Sequence, residues 1–160
     1  FMGVWEVEEI HEPGPFGPGG KGHGKGYVTE GPGGLSLMID YRSLGGPMKS
    51  FRGHGVLGWD EPSKSYKQTW VDNMMPMMMV SIGHWDGDKF IMESAGTMMG
   101  KPFKGQDTFS GISKEGYTIT GEMSMDGGPM VKMMTLIHRR AAKAEPKPEA
   151  KAEPKPDAKK

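Results

Sequence analysis

Methionine is the side chain whose spacing most invites a chemical reading. Six positions, Met74-Met75-Pro76-Met77-Met78-Met79, hold five of the chain's 16 methionines. Thioether sulfur is a soft ligand that selects Cu(I). In an extended strand Met75, Met77 and Met79 would share one face, with Met74 and Met78 opposite. Met98-Met99, Met123-x-Met125 and Met133-Met134 would add further donors. Methionine is also a flexible apolar filler that lines pliable pockets. Copper sites of this kind sit on exposed, mobile segments, whereas this run leads straight into a predicted strand. It therefore reads first as core or pocket lining, with Cu(I) on Met75, Met77 and Met79 as an alternative.

The histidines His11, His23, His54, His84 and His138 form no close ligand pattern such as His-x-His. His11 and His23 lie in or beside a Gly-rich stretch and are expected in solvent. His138 falls at the end of the last predicted strand. The acids Asp60, Asp72, Asp86, Glu93, Asp107 and Glu122 are scattered, and most suit turns or outward-facing positions. No nucleophile elbow, paired acid motif or Ser/His/Asp arrangement stands out, so no catalytic residue is assigned and an enzyme is the less favoured reading. Gly17-Pro18-Gly19-Gly20-Lys21-Gly22 has the glycines of a phosphate loop but not its Gly-Lys-Ser/Thr ending, and no helix follows.

Composition narrows the classes further. Lys plus Arg and Asp plus Glu are 20 each, so the formal net charge is zero. A general nucleic-acid binder needs excess positive charge, and none is expected here. With no Cys, disulfides, thiolate metal sites and cysteine nucleophiles are excluded. No apolar run approaches the roughly 18 residues of a membrane helix. The length of 160 residues suits one domain. Leu, Ile, Val and Phe make up only about 16%, below the roughly 20% of an ordinary core, and methionine is expected to supply the missing volume.

The elements that must carry these side chains are strands. Trp5 and Val7 share one face while Glu6 and Glu8 take the other. Tyr117, Ile119, Met123 and Met125 alternate with Thr118, Thr120, Glu122 and Ser124, as in a half-buried antiparallel strand. Turn signals at 60–63, 86–88, 114–116 and 126–129 suit hairpins. Pro13–Gly26 reads as a long Gly-rich loop. Ten strands are predicted, at 2–10, 24–31, 35–43, 48–59, 64–72, 75–85, 88–97, 102–112, 116–125 and 130–139. Ten short antiparallel strands suggest an all-β up-and-down barrel, since closure removes exposed edges, with a sandwich as the alternative. A barrel this wide leaves room for a small ligand.

The chain divides into a barrel domain, 1–139, and a tail, 140–160. The segments AEPKPEAK and AEPKPDAK at 144–151 and 152–159 have no apolar face and cannot offset their ordering entropy, so the tail is expected to be disordered. The chain begins at Phe1, without Met, inside a strand-like segment. A natural start there is unexpected, so the N-terminus reads as incomplete and the compartment is left open.

Gly3-Val4-Trp5 resembles the Gly-x-Trp opening of calycin barrels such as lipocalins. Gly55-Val56-Leu57-Gly58-Trp59-Asp60, Lys64-Ser65-Tyr66, Thr69 to Met74, Gly83-His84-Trp85-Asp86 and Gly96 to Phe103 together resemble the bacterial domain-of-unknown-function family 1579. The likeness covers about residues 2–139. It implies a lipocalin-like barrel, with Trp5 closing its bottom, and no established activity. Family members usually carry a helical segment before the Gly-x-Trp strand, which is missing here. Haem-binding ten-strand barrels of the nitrobindin type also start with Gly-x-Trp and use a late histidine as axial ligand. That likeness makes haem on His138 an alternative. The main expectation is a binding module without a cofactor, holding a small apolar or amphipathic ligand on Trp5, Tyr41, Trp70, Met77, Met79, Phe90 and Met123. A barrel with a filled core, serving a structural or partner-binding role, is the remaining alternative.

Overall fold

The computed structural model describes residues 1–142 apart from residue 16. Its strands are β1 (Gly3–His11), β2 (Gly20–Glu30), β3 (Ser36–Gly45), β4 (Arg52–Asp60), β5 (Ser65–Asp72), β6 (Met79–Asp86), β7 (Lys89–Met98), β8 (Lys101–Ser110), β9 (Gly116–Met125) and β10 (Val131–Arg140). Each pairs antiparallel with its sequence neighbours, and β1 pairs with β10 from Trp5–Arg140 to His11–Met134. The sheet is therefore a closed ten-strand barrel and not a sandwich. β10 runs through Arg140, one residue past its predicted end. The predicted tail lies outside the described residues from 143 onward.

Three strand starts differ by several residues from the sequence expectation, each for a local reason. β2 starts inside the stretch expected to be a loop. Gly22, Gly24 and Gly26 point inward while Lys21, His23 and Lys25 point outward, so the period-two pattern is present with glycine as its inward member. β4 starts at Arg52 rather than 48, because Phe51 N–H donates to Met48 O at 2.7 Å and closes a turn. β6 starts only at Met79. Asp72 Oδ1 accepts from the backbone N–H of Met74 at 2.8 Å and of Met75 at 3.0 Å, and Met77 N–H donates to Met75 O at 2.8 Å. An aspartate that bonds the backbone two and three residues on starts a turn instead of a strand. Met75 and Met77 thus lie in a loop and do not share a strand face with Met79.

The barrel has two unlike ends. At the end holding the start of β1, Trp5 is 1% exposed and packs edge-on against Tyr117 with ring centroids 5.0 Å apart. Phe1, Phe90 and Phe109 continue this aromatic floor. Arg140 lies over the Trp5 ring at 4.3 Å and donates to the carbonyls of Lys114 and Met2, tying β10 across the same end. Trp59 and Trp85 are about half exposed at its outer edge. Pro32–Gly34 forms a 3-10 turn here, and Leu35 just beyond it is exposed.

The other end carries the loops after β1, β3, β5, β7 and β9. All of the 16 methionines except Met2, Met38 and Met92 lie in these loops or in the strand ends beside them. One end is thus closed by rigid aromatic rings and the other is collared by flexible thioethers.

Candidate functional site

Inward-facing side chains alternate large and small around the barrel, and this leaves space. Trp70 lies across Gly53 and Gly55, where a Cβ at Gly55 would stand 2.7 Å from its ring. Gly83 gives the same room to Phe90 and Met92. With bare backbone in these places, the aromatics lie against the wall instead of filling the centre. A cavity of about 340 Å³ remains, opening at the methionine end. Its wall is mainly apolar, with Val28, Leu37, Ile39, Leu57, Phe109 and Ile119 prominent. A wall of this kind, with a few convergent polar groups, is the usual form of a small-molecule site.

Of the seven residues expected to line a pocket, Tyr41, Trp70, Met79, Phe90 and Met123 face this cavity. Trp5 and Met77 do not. Trp5 is sealed in the floor, and Met77 sits in the loop that Asp72 starts without bordering the cavity. Of the alternative ligand set, His138, Met75 and Met79 border the cavity and Met77 again does not.

The polar groups on the wall were largely missed by the sequence reading. Glu9 is 1% exposed. Its carboxylate accepts hydrogen bonds from Tyr41 Oη at 2.5 Å, Ser43 Oγ at 3.0 Å and His11 Nε2 at 3.1 Å. Burial alone would raise its pKa, but these donors and the nearby His11 imidazole outweigh burial and hold the carboxyl below its usual range. Tyr41 is held protonated by the same arrangement, first by its own burial and then by the carboxylate it donates to. Gly22 and Gly24 make this network possible. A Cβ at Gly24 would stand 2.8 Å from Glu9 Oε1 and 2.6 Å from Arg42 O, and one at Gly22 would stand 2.7 Å from Glu9 Oε2. His11, expected in solvent, is therefore part of the wall.

Asp107 also faces inward, not outward as expected. Its parity matches Gly105 and Phe109, and it borders the cavity. Gly121 and Met134 lie between it and His11 in one cross-strand row. Burial without compensating donors pushes its pKa up to about 6. Two inward rows below lies Val7–His138–Tyr117. His138 is 5% exposed, and its ring stacks on Tyr117 at 4.2 Å. Its Nδ1 is buried and has no hydrogen-bond partner among the described residues. Burial pushes its pKa down to about 4, so it is neutral at pH 7. The facing of β10 is ambiguous in the sequence because Lys132 shares parity with Met134 and Leu136. A bulge between Lys132 and Met134 removes the conflict: Lys132 pairs outside with Glu12 at 2.9 Å, while Met134, Leu136 and His138 face in.

One signal for Glu9 was available. It continues the parity of Trp5 and Val7, so an acid on that face had to be buried and paired. Asp107 carried the same signal beside Phe103 and Phe109.

Comparison with known proteins identifies the fold and leaves the chemistry open. A family model described as "Protein of unknown function (DUF1579)" matches residues 1–140. The crystal structure of Rv2717c from M. tuberculosis superposes with a TM-score of 0.60 over 88% of this chain and 92% of that one, at 13% identity. At that identity the likeness concerns the fold alone. No curated protein matches the chain.

Proposed function

The chain belongs to the DUF1579 family, and on that footing we propose that it is a binding module holding one small apolar or amphipathic ligand inside the barrel. The observation that carries this reading is the cavity of about 340 Å³, open at one end and walled mainly by apolar side chains. A core under pressure only to be stable would close such a space, because unfilled volume is destabilising. Tyr41, Trp70, Met79, Phe90 and Met123 are its proposed contacts. The lipocalin-like part of the reading rests on the barrel architecture and on the Gly3-Val4-Trp5 opening.

The test is titration with a lipophilic fluorescent probe. Saturable binding at about one site per chain is expected, with Trp70→Ala weakening it about tenfold, in line with loss of a large buried aromatic contact. Absence of saturable binding, or binding indifferent to Trp70, would count against the cavity as a site.

One observation favours a second reading. His138 offers a buried, neutral imidazole with an unpartnered nitrogen in the cavity wall, which fits the donor chemistry of a haem or metal ligand. Haem bound there would supply redox or gas-binding chemistry, while the apolar wall would exclude water around it. A haem titration monitored by absorption, repeated with His138→Ala, tests this. Spectra unchanged by the substitution would remove His138 as a ligand. For copper, Met75 and Met79 remain soft donors at the cavity mouth, and Cu(I) competition against a chelator provides the corresponding test.

A further inference from the structure

The charge of the wall narrows the class of ligand, given the binding reading above. Four carboxylates border the cavity: Glu9, Glu12, Asp72 and Asp107. Among its described lining residues there is no Lys or Arg. An apolar cavity built for fatty acids or other anions would present the opposite sign.

Three of the four acids are already engaged. Glu9 has its three donors. Glu12 pairs with Lys132 at the mouth. Asp72 accepts two backbone N–H groups of the following loop. Asp107 is different. It makes no side-chain hydrogen bond or ion pair with any described residue, and burial is the single influence on its acidity. Unpaired carboxylates are rarely kept in apolar surroundings, because desolvation opposes the charge. The surroundings also leave it accessible. Gly121, its partner on β9, carries no side chain, and a Cβ there would stand 3.0 Å from Asp107 Oδ1. The inward neighbours in the same row are Met134 and His11, and His11 is already bonded to Glu9. His138, two rows deeper, is buried with its Nδ1 unpartnered, and it adds no positive charge at neutral pH.

We propose that the ligand is a cationic amphipath, an apolar body bearing one ammonium group, and that Asp107 receives the ammonium while the aromatic and aliphatic wall receives the body. A bound ammonium gives the orphan carboxylate the partner it lacks. The polarisable methionine sulfurs around the mouth suit an apolar body of adaptable shape.

The experiment compares three probes with the same ten-carbon chain, decylammonium, decanol and decanoate, by calorimetry with the full chain at pH 7.5. Decylammonium is expected to bind about tenfold or more tighter than decanol, the scale of one charge-assisted hydrogen bond, and decanoate weaker than either. In Asp107→Asn the gap between decylammonium and decanol is expected to shrink to about threefold or less, with decanol affinity little changed. The variant should fold, because it removes an unpaired buried charge. Even without it, the three-probe comparison on the unaltered protein decides the sign. Equal binding of decylammonium and decanol, or preference for decanoate, overturns the ammonium proposal and leaves the binding module standing. An ammonium preference that survives in Asp107→Asn overturns the assignment to Asp107. Failure of all three probes to bind overturns the binding reading and this inference together.

Discussion

His138 and Asp107 face the same interior and respond to acid in opposite senses. The folded pKa of His138 is about 4 against an ordinary 6.5, so between those values the unfolded chain binds a proton that the folded chain refuses. Stability from this residue is therefore lost as pH falls from about 6.5 to 4, by on the order of 3 kcal/mol. Asp107 has a folded pKa of about 6 against an ordinary 3.8, so its contribution favours the fold in acid and is lost as pH rises through that window. The two partly cancel in the unaltered protein, and single variants separate them. Urea unfolding of His138→Phe and the unaltered protein at pH 7 and pH 4 should show the variant gaining, relative to the parent, on the order of 3 kcal/mol at the lower pH. A difference that does not move between the two pH values would mean that His138 is not the group refusing the proton. Glu9 acts in a lower range: its depressed pKa stabilises the fold above its unfolded value, and that contribution is lost as pH falls through the folded one.

At the scale of the element, β2 shows what glycine does in this barrel. Gly24 and Gly26 both point inward, but a Cβ at Gly24 would meet Arg42 O at 2.6 Å and the Glu9 carboxylate at 2.8 Å, whereas one at Gly26 would find ordinary contact at 3.7 Å with Trp5. Gly24→Ala is therefore expected to cost about 1–3 kcal/mol, as overpacking does, and Gly26→Ala to stay within about 1 kcal/mol of the parent. Thermal unfolding of the pair is the check, and equal losses would show that strand flexibility, not space, is what matters. The same strand marks the limit of what the sequence discloses. Strands such as β9 were legible because apolar and polar residues alternate along them. β2 was not, because glycine carries no hydropathy to mark which face is inside. The methionine run misled in the other direction: its apolar character suggested a strand from 75, but the turn is set by Asp72, whose hydrogen bonds a hydropathy pattern does not express. Most of the proposed lining was readable from strand parity, while Asp107 escaped because a lone acid on an inward face was read as an outward one.

At the scale of the whole molecule, closure makes the barrel one cooperative object. β1 and β10, the first and last strands, hold each other, and Arg140 fastens the seam over Trp5. No described strand can leave without opening the ring. Unfolding followed by far-ultraviolet circular dichroism and by tryptophan fluorescence should therefore give coincident curves with one midpoint, since Trp5 and Trp70 report on the same core. Separate midpoints would reveal that the aromatic floor and the mouth melt independently. Folding should be slow for a chain of this length, because the pairing of β1 with β10 joins residues far apart in sequence.

The glycine wall also bears on how this cavity can change over generations. Where Gly22, Gly24 and Gly26 face inward, there is no side chain to trim, so every substitution adds bulk. At these three positions, mutation can narrow the chamber but never enlarge it. A descendant adapting to a larger guest would have to make its room where the wall carries side chains, at Val28 or, with more to gain, at Trp70, Phe90 or Phe109.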